Sequence, residues 1–339
     1  MGKVTMQHIA DALGISRVSV WKVFNKQSGI SEKLKNDVLA KAEELGYFRN
    51  MVLKETAPQR NKTIAVIVAR PESATFWTNI IFQISSELSR HNINLMYATI
   101  PSEFSSSFSL PNMLTDRTIS GVIVLNIYDT RILSEINRLS LPKVFLDITP
   151  DFPIRELSGD LILLEGYETI RKITSSVISK GCSKIGFIGD TRYAKTNQDR
   201  YKGFVRTLKE NNIEFKKEYC LIDHIDIYSY YVQMTKFFDS FNDLPEAFIC
   251  ANDHIASFLY QYFSEHPERL THDIMVTGYD GSSEYLNVSG LLTTAFVNTE
   301  DLGRRLAYQI RFREENPAAQ YELTYIYPEI IYRDYNLSP

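Results

Sequence analysis

The 339-residue chain lacks the features that mark membrane, disulfide-bonded or metal-binding proteins. No run approaches the roughly 20 apolar residues of a membrane span, and the N-terminal MGKVTMQHIADALG reads as a mixed polar helix instead of a basic leader with an apolar core. Three cysteines, Cys182, Cys220 and Cys250, are too scattered for a disulfide framework or a paired zinc site, and we expect them to be reduced. These absences predict a cytoplasmic protein without a metal or cofactor.

Catalytic motifs are also missing. The chain has no GxSxG, GxxxxGK[ST] or HExxH, and its six histidines, His254 and His272 among them, show no ligand spacing. Enzyme activity is therefore not expected. A secreted sugar-binding protein would need a leader and would have no reason to carry a basic N-terminal segment, so that class is not expected either.

The net charge of -4 hides an asymmetry along the chain. Residues 1–62 hold 11 Lys and Arg against 6 Asp and Glu, a net of +5, whereas residues 63–339 hold 26 against 35, a net of -9. A chain of this length is expected to form two or three cores. Because phosphates attract positive charge, a small basic head on a large acidic body suits DNA binding by the head.

Apolar residues at helical spacing predict three short helices in the head. The first begins after Thr5 and ends at Gly14. The second begins after Ser16, a short turn later, and the third runs from Ser31 to Gly46. Two helices joined so tightly must cross steeply, as in a helix-turn-helix whose second helix enters the major groove. Periodicity alone fits an amphipathic scaffold equally well.

The detailed residues favour the DNA-binding interpretation. VTMQHIADALGISRVSVWKVFN, followed by the Ser31 helix and ELGY, resembles the head of the LacI/GalR family of repressors along essentially all of the first 50 residues. The resemblance implies that Arg17 and Val18 open the recognition helix towards base edges. It also implies that Lys22, where the family usually has arginine, reaches guanine acceptors as a point charge.

Trp21 stands where the family usually has a serine. Its indole either contacts a phosphate or a thymine methyl, or packs against the neighbouring helix. The full set of DNA contacts that the resemblance implies is Thr5, Ser16, Arg17, Val18, Ser19, Trp21, Lys22, Asn25, Asn50, Leu53 and Lys54.

The polar segment 48–62 is predicted to be a hinge between head and body. In the family, this segment usually carries a proline, an Ala-Arg pair and a leucine, and it folds on DNA to push the leucine into the minor groove. Here Arg49, Leu53, Lys54 and Thr56 hold those positions, so only the basic residue is kept. Thr56 is a poor apolar wedge. Either Leu53 or Met51 replaces it from another register, or the hinge merely tethers.

From residue 63 onwards, strand-like runs alternate with helical stretches. The runs are TIAVIVA, NLMYA, GVIVLN, KVFLD, KIGFIG, AFICA and IMVTGY. This alternation predicts parallel sheets covered on both faces, and so many strands predict two doubly wound lobes. The expected fold is an all-α head followed by an α/β body. The expected domains are a helix-turn-helix at 1–47, a hinge at 48–62, and a two-lobed effector-binding and dimerisation domain at 63–339.

Ligands of such sheets bind at the carboxyl ends of strands, where this chain is rich in polar and aromatic residues. The candidates are Phe76, Trp77, Asp147, Asn252 and Asp280, with Arg200 in the helix after KIGFIG. Each has a structural explanation by itself: the aromatics in the core, the Asn and Asp residues as helix caps, and the arginine on the surface. Together they form a polar set with an aromatic wall, which suits a small polar ligand.

The body also resembles the periplasmic-binding-protein-like sensor domain of the same family. KIGFIGD, DRYKGF, CANDHIA, VTGYD and LLTTAFVNTEDLGRRLA follow the family's order, and the likeness reaches IIYRDYN near the C-terminus. It implies effector contacts by Arg200, Asn252 and Asp280, and, on a weaker likeness, by Asp147. Gly281 and the pair Gly290-Leu291 replace a second Asp and a proline pair that the family often has.

The resemblance implies a homodimeric repressor of a carbohydrate-utilisation operon that binds a pseudo-palindromic operator and responds to a sugar held between the lobes. A nucleoside or purine, a sugar phosphate, or a protein partner are the alternative effectors.

Overall fold

The computed structural model describes residues 4–25, 27, 30–47, 62–69, 74–225, 229–334 and 336–338. The chain divides into two compact units, Met1–Asn61 and Lys62–Pro339. The predicted DNA contacts Asn50, Leu53 and Lys54, and the neighbouring Met51 and Thr56, lie outside the described residues. No helix of the described residues is long and apolar enough to cross a membrane.

In the described part of the head, three helices form as the periodicity predicts: α1 (Met6–Leu13), α2 (Arg17–Phe24) and α3 (Glu32–Glu44). The caps are those expected from the sequence. The Ser16 hydroxyl accepts a hydrogen bond from the Ser19 amide at 3.1 Å, and Gly14 ends α1 in the left-handed conformation at φ 62°. A small buried core joins the helices through Ile9, Ala10, Val20, Val23, Val38 and Ala42.

The body contains two sheets and the helices that cover them. Its helices are α4 (Ala74–Ser89), α5 (Thr130–Asn137), α6 (Tyr167–Ser179), α7 (Lys195–Glu210), α8 (Tyr230–Asp239), α9 (Asp253–Glu265) and α10 (Thr299–Glu315). Its strands are β1 (Thr63–Val68), β2 (Asn94–Thr99), β3 (Gly121–Leu125), β4 (Lys143–Leu146), β5 (Asp160–Leu164), β6 (Ile185–Ile188), β7 (Cys220–Leu221), β8 (Ala247–Cys250), β9 (Ile274–Asp280), β10 (Thr293–Phe296), β11 (Leu323–Ile326), β12 (Glu329–Ile331) and β13 (Asn336–Leu337).

Each sheet defines one lobe. In the first lobe, the strands lie in the order β11-β5-β4-β3-β1-β2, and every recorded pair is parallel. In the second lobe, the order is β12-β10-β9-β8-β6-β7, with β13 beside the start of β9. The central strands are buried along their whole length, because helices cover both faces of a parallel sheet. Two doubly wound lobes are therefore confirmed.

The structure adds strands that the sequence patterns did not indicate. β5 runs parallel inside the first sheet, β11 forms its edge, and β12 and β13 pair antiparallel with β10 and β9. The second sheet is thus mixed instead of wholly parallel. The edge strands β11 and β12 are half-solvated and carry no long apolar run, so they leave a weak signal in a sequence. β5 is buried and apolar, so this explanation does not extend to it.

The chain passes between the lobes three times. It leaves β5 for α6, returns from β10 to α10, which packs on α4, and crosses again between β11 and β12. At the first crossing, the Tyr279 hydroxyl of the second lobe donates to the Glu165 carbonyl at 2.7 Å, and the Glu165 amide donates to the Ile326 carbonyl at 2.8 Å. These bonds tie the crossing segments together at one end of the cleft between the lobes.

Candidate functional site

The recognition helix α2 presents an exposed face. Arg17, Val18, Trp21, Lys22 and Asn25 are exposed, and Val20 and Val23 on the opposite face are buried in the head core. Val18 is 61% and Trp21 47% exposed, so the indole lies on the same surface as the two cations and is not buried against a neighbouring helix.

The other described head residues with a predicted DNA contact lie at helix starts and ends. Thr5 and Ser16 cap α1 and α2, and Asn25 caps the end of α2, where its side-chain amide donates to the Trp21 carbonyl at 2.9 Å. Ser19 is half-buried beside Ser16, whose hydroxyl lies 2.9 Å from its own. An exposed helix face that carries cations and one indole can contact phosphates and base edges.

In the body, one cavity between the lobes brings together all six residues predicted to bind the effector. Its lining also contains residues that the sequence interpretation missed. The full lining is Phe76, Trp77, Asn126, Tyr128, Leu146, Asp147, Leu164, Asp190, Tyr193, Ala194, Thr196, Asn197, Arg200, Tyr230, Asn252, His254 and Asp280.

Asp147 is held at the end of β4 in the left-handed conformation, at φ 63°. One carboxylate oxygen accepts from the Ile148 amide at 2.8 Å, and the other accepts from the hydroxyl and the amide of Thr196 in α7. Burial raises the pKa of Asp147 to about 6, although the Thr196 hydroxyl and the nearby Arg200 favour the charged form. Asp147 therefore binds the second lobe as well as lining the cleft.

Arg200 is not the surface residue that its type suggests, because only 4% of it is exposed. Its Nη1 donates to the Ala251 carbonyl at 2.6 Å, and the guanidinium lies over the ring of Tyr279, 3.5 Å from the centroid. Gly166 provides the space for this side chain, since a Cβ there would lie 2.7 Å from the Arg200 Cγ. The Nε atom is buried and has no hydrogen-bond partner among the described residues.

Asn252 is both a helix cap and a residue of the cleft. Its side-chain oxygen accepts from the Ile255 amide at 2.9 Å and caps α9, and the residue also lines the cleft. Asp280, at the end of β9, lines the cleft in a left-handed conformation at φ 102°. The neighbouring Asp253 is a buried structural group: it accepts from Thr294 and the Ser282 amide, and burial raises its pKa to about 6.

Aromatic rings form the walls of the cleft. Phe76 and Trp77 pack edge to face with centroids 5.3 Å apart, and both are half-buried against the core. Tyr128 of the first lobe lies 4.3 Å from Tyr193 of the second, centroid to centroid. Flat apolar rings beside carboxylate, amide and guanidinium groups can hold a ring-shaped ligand with polar substituents.

Among the described residues, four hydrogen-bonded contacts join the lobes across the cleft. The Tyr193 hydroxyl donates to the Asn126 side chain at 3.2 Å, and the Lys195 amide donates to the Ile148 carbonyl at 2.8 Å. Glu284 of the second lobe accepts from the Thr75 amide in the first turn of α4 at 3.2 Å. The fourth contact is the one between Asp147 and Thr196.

The missed lining residues differ in how far a sequence could reveal them. Asn126 follows β3 and Asp190 follows β6, so the rule that found Asp147 and Asp280 also applies to them. Tyr193, Tyr230 and His254 reach the cleft from a loop and two helices, and nothing in their local sequence marks that approach.

Comparison with known proteins gives the same architecture. A model of the periplasmic binding protein-like domain matches residues 174–334. The HTH-type transcriptional repressor PurR of Mannheimia succiniciproducens is 26% identical over 331 residues, which is 97% of each chain. The ribose operon repressor of Haemophilus influenzae is 24% identical over 335 residues, 97% of this chain and 98% of its own.

Solved structures share the whole fold. The Lac repressor dimer bound to operator and the anti-inducer ONPF matches with a TM-score of 0.65 and 20% identity over 98% of both chains. The CelR–cellobiose complex matches with a TM-score of 0.66 and 19% identity, over 97% of this chain and 99% of its own. A helical head followed by a two-lobed periplasmic-binding-protein-like body defines a class of transcription regulators. The fold and the relatives together support a transcription regulator of the LacI type.

Proposed function

We propose that the protein is an effector-controlled repressor whose head binds a pseudo-palindromic operator and whose cleft binds a sugar. The observation that carries the proposal is the convergence of six predicted contact residues, from both lobes, on one cavity of a chain with a basic helix-turn-helix. Asp and Asn accept from hydroxyls, Arg donates to them, and the rings of Phe76 and Trp77 match the carbon–hydrogen face of a pyranose.

A homodimer suits this function, because one helix-turn-helix reads only a half-site and two-fold symmetry doubles the contacts. The first lobe exposes large apolar side chains on its outermost elements, with Phe82 of α4 66% and Tyr97 of the edge strand β2 52% exposed. Apolar side chains in such positions support a subunit interface. Equal affinity of a monomeric form for half-sites and full sites in a mobility-shift assay would contradict the dimer.

The effector is proposed to act by binding one lobe arrangement more tightly than another, which couples the cleft to DNA affinity by about 1–3 kcal/mol. A nucleobase is the second candidate effector. The residues compatible with a sugar also fit a planar base, which can stack on an aromatic ring and bond to Asn252.

The test uses the full chain. Selection from random DNA identifies the operator, and mobility shifts then measure its affinity with sugars, sugar phosphates and purines added one at a time. We expect one of these ligands to change operator affinity in the wild type and not in Asp280→Ala or Arg200→Ala. Retention of a wild-type response by both variants would show that the effector binds elsewhere.

Under induction, the two variants should bind the operator in the absence of ligand as the wild type does. Under co-repression, both should instead bind the operator more weakly in the presence of ligand than the wild type does. Lys195→Ala is a suitable control, because its side chain pairs with Asp199 at 2.6 Å and is not part of the cleft lining.

A further inference from the structure

Negative charge predominates in the cleft. Asp147, Asp190 and Asp280 line it, and Arg200 is the one Lys or Arg in the lining formed by the described residues. Asp190 is fixed in place, since one of its oxygens accepts from the amides of Arg192 and Tyr193 and the other from His224 Nδ1 at 2.9 Å and the Ile225 amide. A carboxylate held by four donors cannot turn away from an incoming anion.

The single guanidinium is already engaged. Arg200 donates to the Ala251 carbonyl, lies over Tyr279, and is close enough to Asp147 to favour its charged form. A phosphate in this cleft would therefore meet three carboxylates and one cation, so negative charge remains in excess when the carboxylates are ionised. Like charges that face each other away from bulk water disfavour binding strongly.

His254 offers a polar atom without a charge. It is the second residue of α9, and its ring stacks on Tyr285 with centroids 4.9 Å apart and an interplanar angle of 20°. Phe258 lies 4.8 Å away on the same helix. Burial lowers the pKa of His254, so the ring is neutral at pH 7. Its Nδ1 is buried and has no hydrogen-bond partner within the described part of the chain.

A buried nitrogen without a partner is costly, and a ligand group that pairs with it gains affinity. Arg200 Nε is a second atom of this kind in the same lining. A neutral imidazole has one donor and one acceptor, which matches a hydroxyl, an amide or a ring nitrogen. The His254 nitrogen therefore does not call for a negative charge in the ligand.

We propose that the cleft selects an uncharged ring-shaped ligand, that His254 determines this specificity by bonding to one of its polar atoms, and that phosphorylated sugars and nucleotides are excluded. This inference rests on the proposed function for the position of the effector, and it narrows the chemical class of that effector.

The first experiment compares matched pairs of probes on the full chain by calorimetry. The pairs are glucose and glucose 6-phosphate, ribose and ribose 5-phosphate, cellobiose and its 6-phosphate, and inosine and its 5′-monophosphate. We expect an uncharged member to bind and its phosphorylated partner to bind on the order of 100-fold more weakly. The inference is overturned if no uncharged member binds, or if a phosphorylated member binds as well as its parent.

The second experiment tests His254 with the uncharged probe that binds. His254→Phe keeps the stacked ring and removes both nitrogens, so affinity should fall by about 10- to 100-fold. His266→Phe, at the other end of the same helix and outside the cleft lining, is the matched control and should leave affinity unchanged. Equal affinities of His254→Phe and the wild type would remove His254 from the proposal.

The third experiment tests the charge. Asp280→Asn removes one carboxylate and keeps the shape of the side chain, so the preference for the uncharged member should narrow by about tenfold or more. An unchanged ratio of the two affinities would show that charge does not set the selection.

These outcomes are separable from the proposed function. If an uncharged ligand binds in the cleft but leaves operator affinity unchanged, the inference stands and the regulatory proposal fails. If a phosphorylated ligand binds in the cleft and changes operator affinity, the regulatory proposal stands and the inference fails.

Discussion

In the head, Arg17, Val18 and Lys22 lie on the exposed face of a short helix, whereas in the cleft Arg200 and Asp147 are only 4% and 6% exposed. The exposed residues contact little of the protein, so they are available to a partner and contribute little to the fold. Asp147 bonds across to the second lobe and Arg200 bonds within it, so these cleft residues serve the fold as well as lining the site. Substitutions of the two kinds of residue should therefore differ in how much they lower the stability of the protein.

The largest expected difference lies between two arginines. Arg200→Ala should lower the free energy of unfolding of the body by about 2–4 kcal/mol, because it removes the bond to Ala251 and the contact with Tyr279 and leaves Asp147 without its cation. Arg17→Ala should change stability by less than about 0.5 kcal/mol. Urea unfolding followed by circular dichroism measures both, and equal changes would end the contrast between head and cleft.

The second prediction uses pH. The pKa of Asp147 rises from 3.8 to about 6 on burial, so folding favours its protonated form. The stability that this preference contributes is complete below pH 3.8 and is lost as pH rises through 6. Asp147→Asn should therefore gain stability relative to the wild type between pH 4.5 and pH 8, by up to about 3 kcal/mol before the cost of its altered hydrogen bonds.

Asp116 provides the control with the opposite sign. The Thr118 hydroxyl and amide donate to this exposed carboxylate and lower its pKa. Asp116→Asn should accordingly lose stability relative to the wild type as pH rises through the range where Asp116 ionises. Thermal unfolding at several pH values tests both variants, and a pH-independent difference for Asp147→Asn would contradict the assigned burial effect.

The third prediction concerns two lysines that are predicted to contact DNA. Lys22→Ala should relax sequence preference at one operator position by about 1–3 kcal/mol and leave stability unchanged. Lys54→Ala, in the predicted hinge, should weaken binding to all sequences alike and reduce the salt slope by about 1. An unchanged motif selected from random DNA by a folded Lys22→Ala protein would show that the recognition helix is oriented differently.

The smallest expected effect tests the contact between lobes. Tyr193→Phe keeps the ring beside Tyr128 and removes the hydroxyl that donates to Asn126, so ligand affinity should fall by about 0.5–1.5 kcal/mol. Operator affinity without ligand should stay near wild type. Tyr332→Phe, at an exposed tyrosine outside the cleft lining, is the control, and an equal loss in both variants would exclude a specific role of the Asn126 bond.

Local sequence patterns predicted most of the fold. Ser16, Ser31 and Gly14 act at the helix ends as expected, and each apolar run that was read as a strand lies in a sheet. Of the strands that were not predicted, β7, β12 and β13 are short and lie at or near the margin of the second sheet. Their pairing depends on a partner far along the chain, which a local pattern cannot show.

The same distinction applies to the cleft. Asp147, Asn252 and Asp280 follow strands, and parallel topology alone brings them to one end of their sheets. The burial of Arg200 depends on the space above Gly166 and on the ring of Tyr279, both contributed by other elements. The role proposed for His254 depends on its unpaired Nδ1 and on its stacking against Tyr285, which lies 31 residues further along the chain.

Two carboxylates, one from each lobe, accept hydrogen bonds from the opposite lobe across the cleft. Asp147 of the first lobe meets the start of α7 in the second, and Glu284 of the second lobe meets the start of α4 in the first. Each lobe thus supplies the negative group that the positive end of the other lobe's helix favours. The lobe arrangement of this structure is thus stabilised by contacts of the chain itself, so a ligand that favours it need not provide all of the free energy. Such preorganisation raises affinity while it narrows the range over which the ligand can shift the equilibrium. Weakening these two contacts should therefore lower the affinity for the ligand and increase the change in the lobe equilibrium that ligand binding causes.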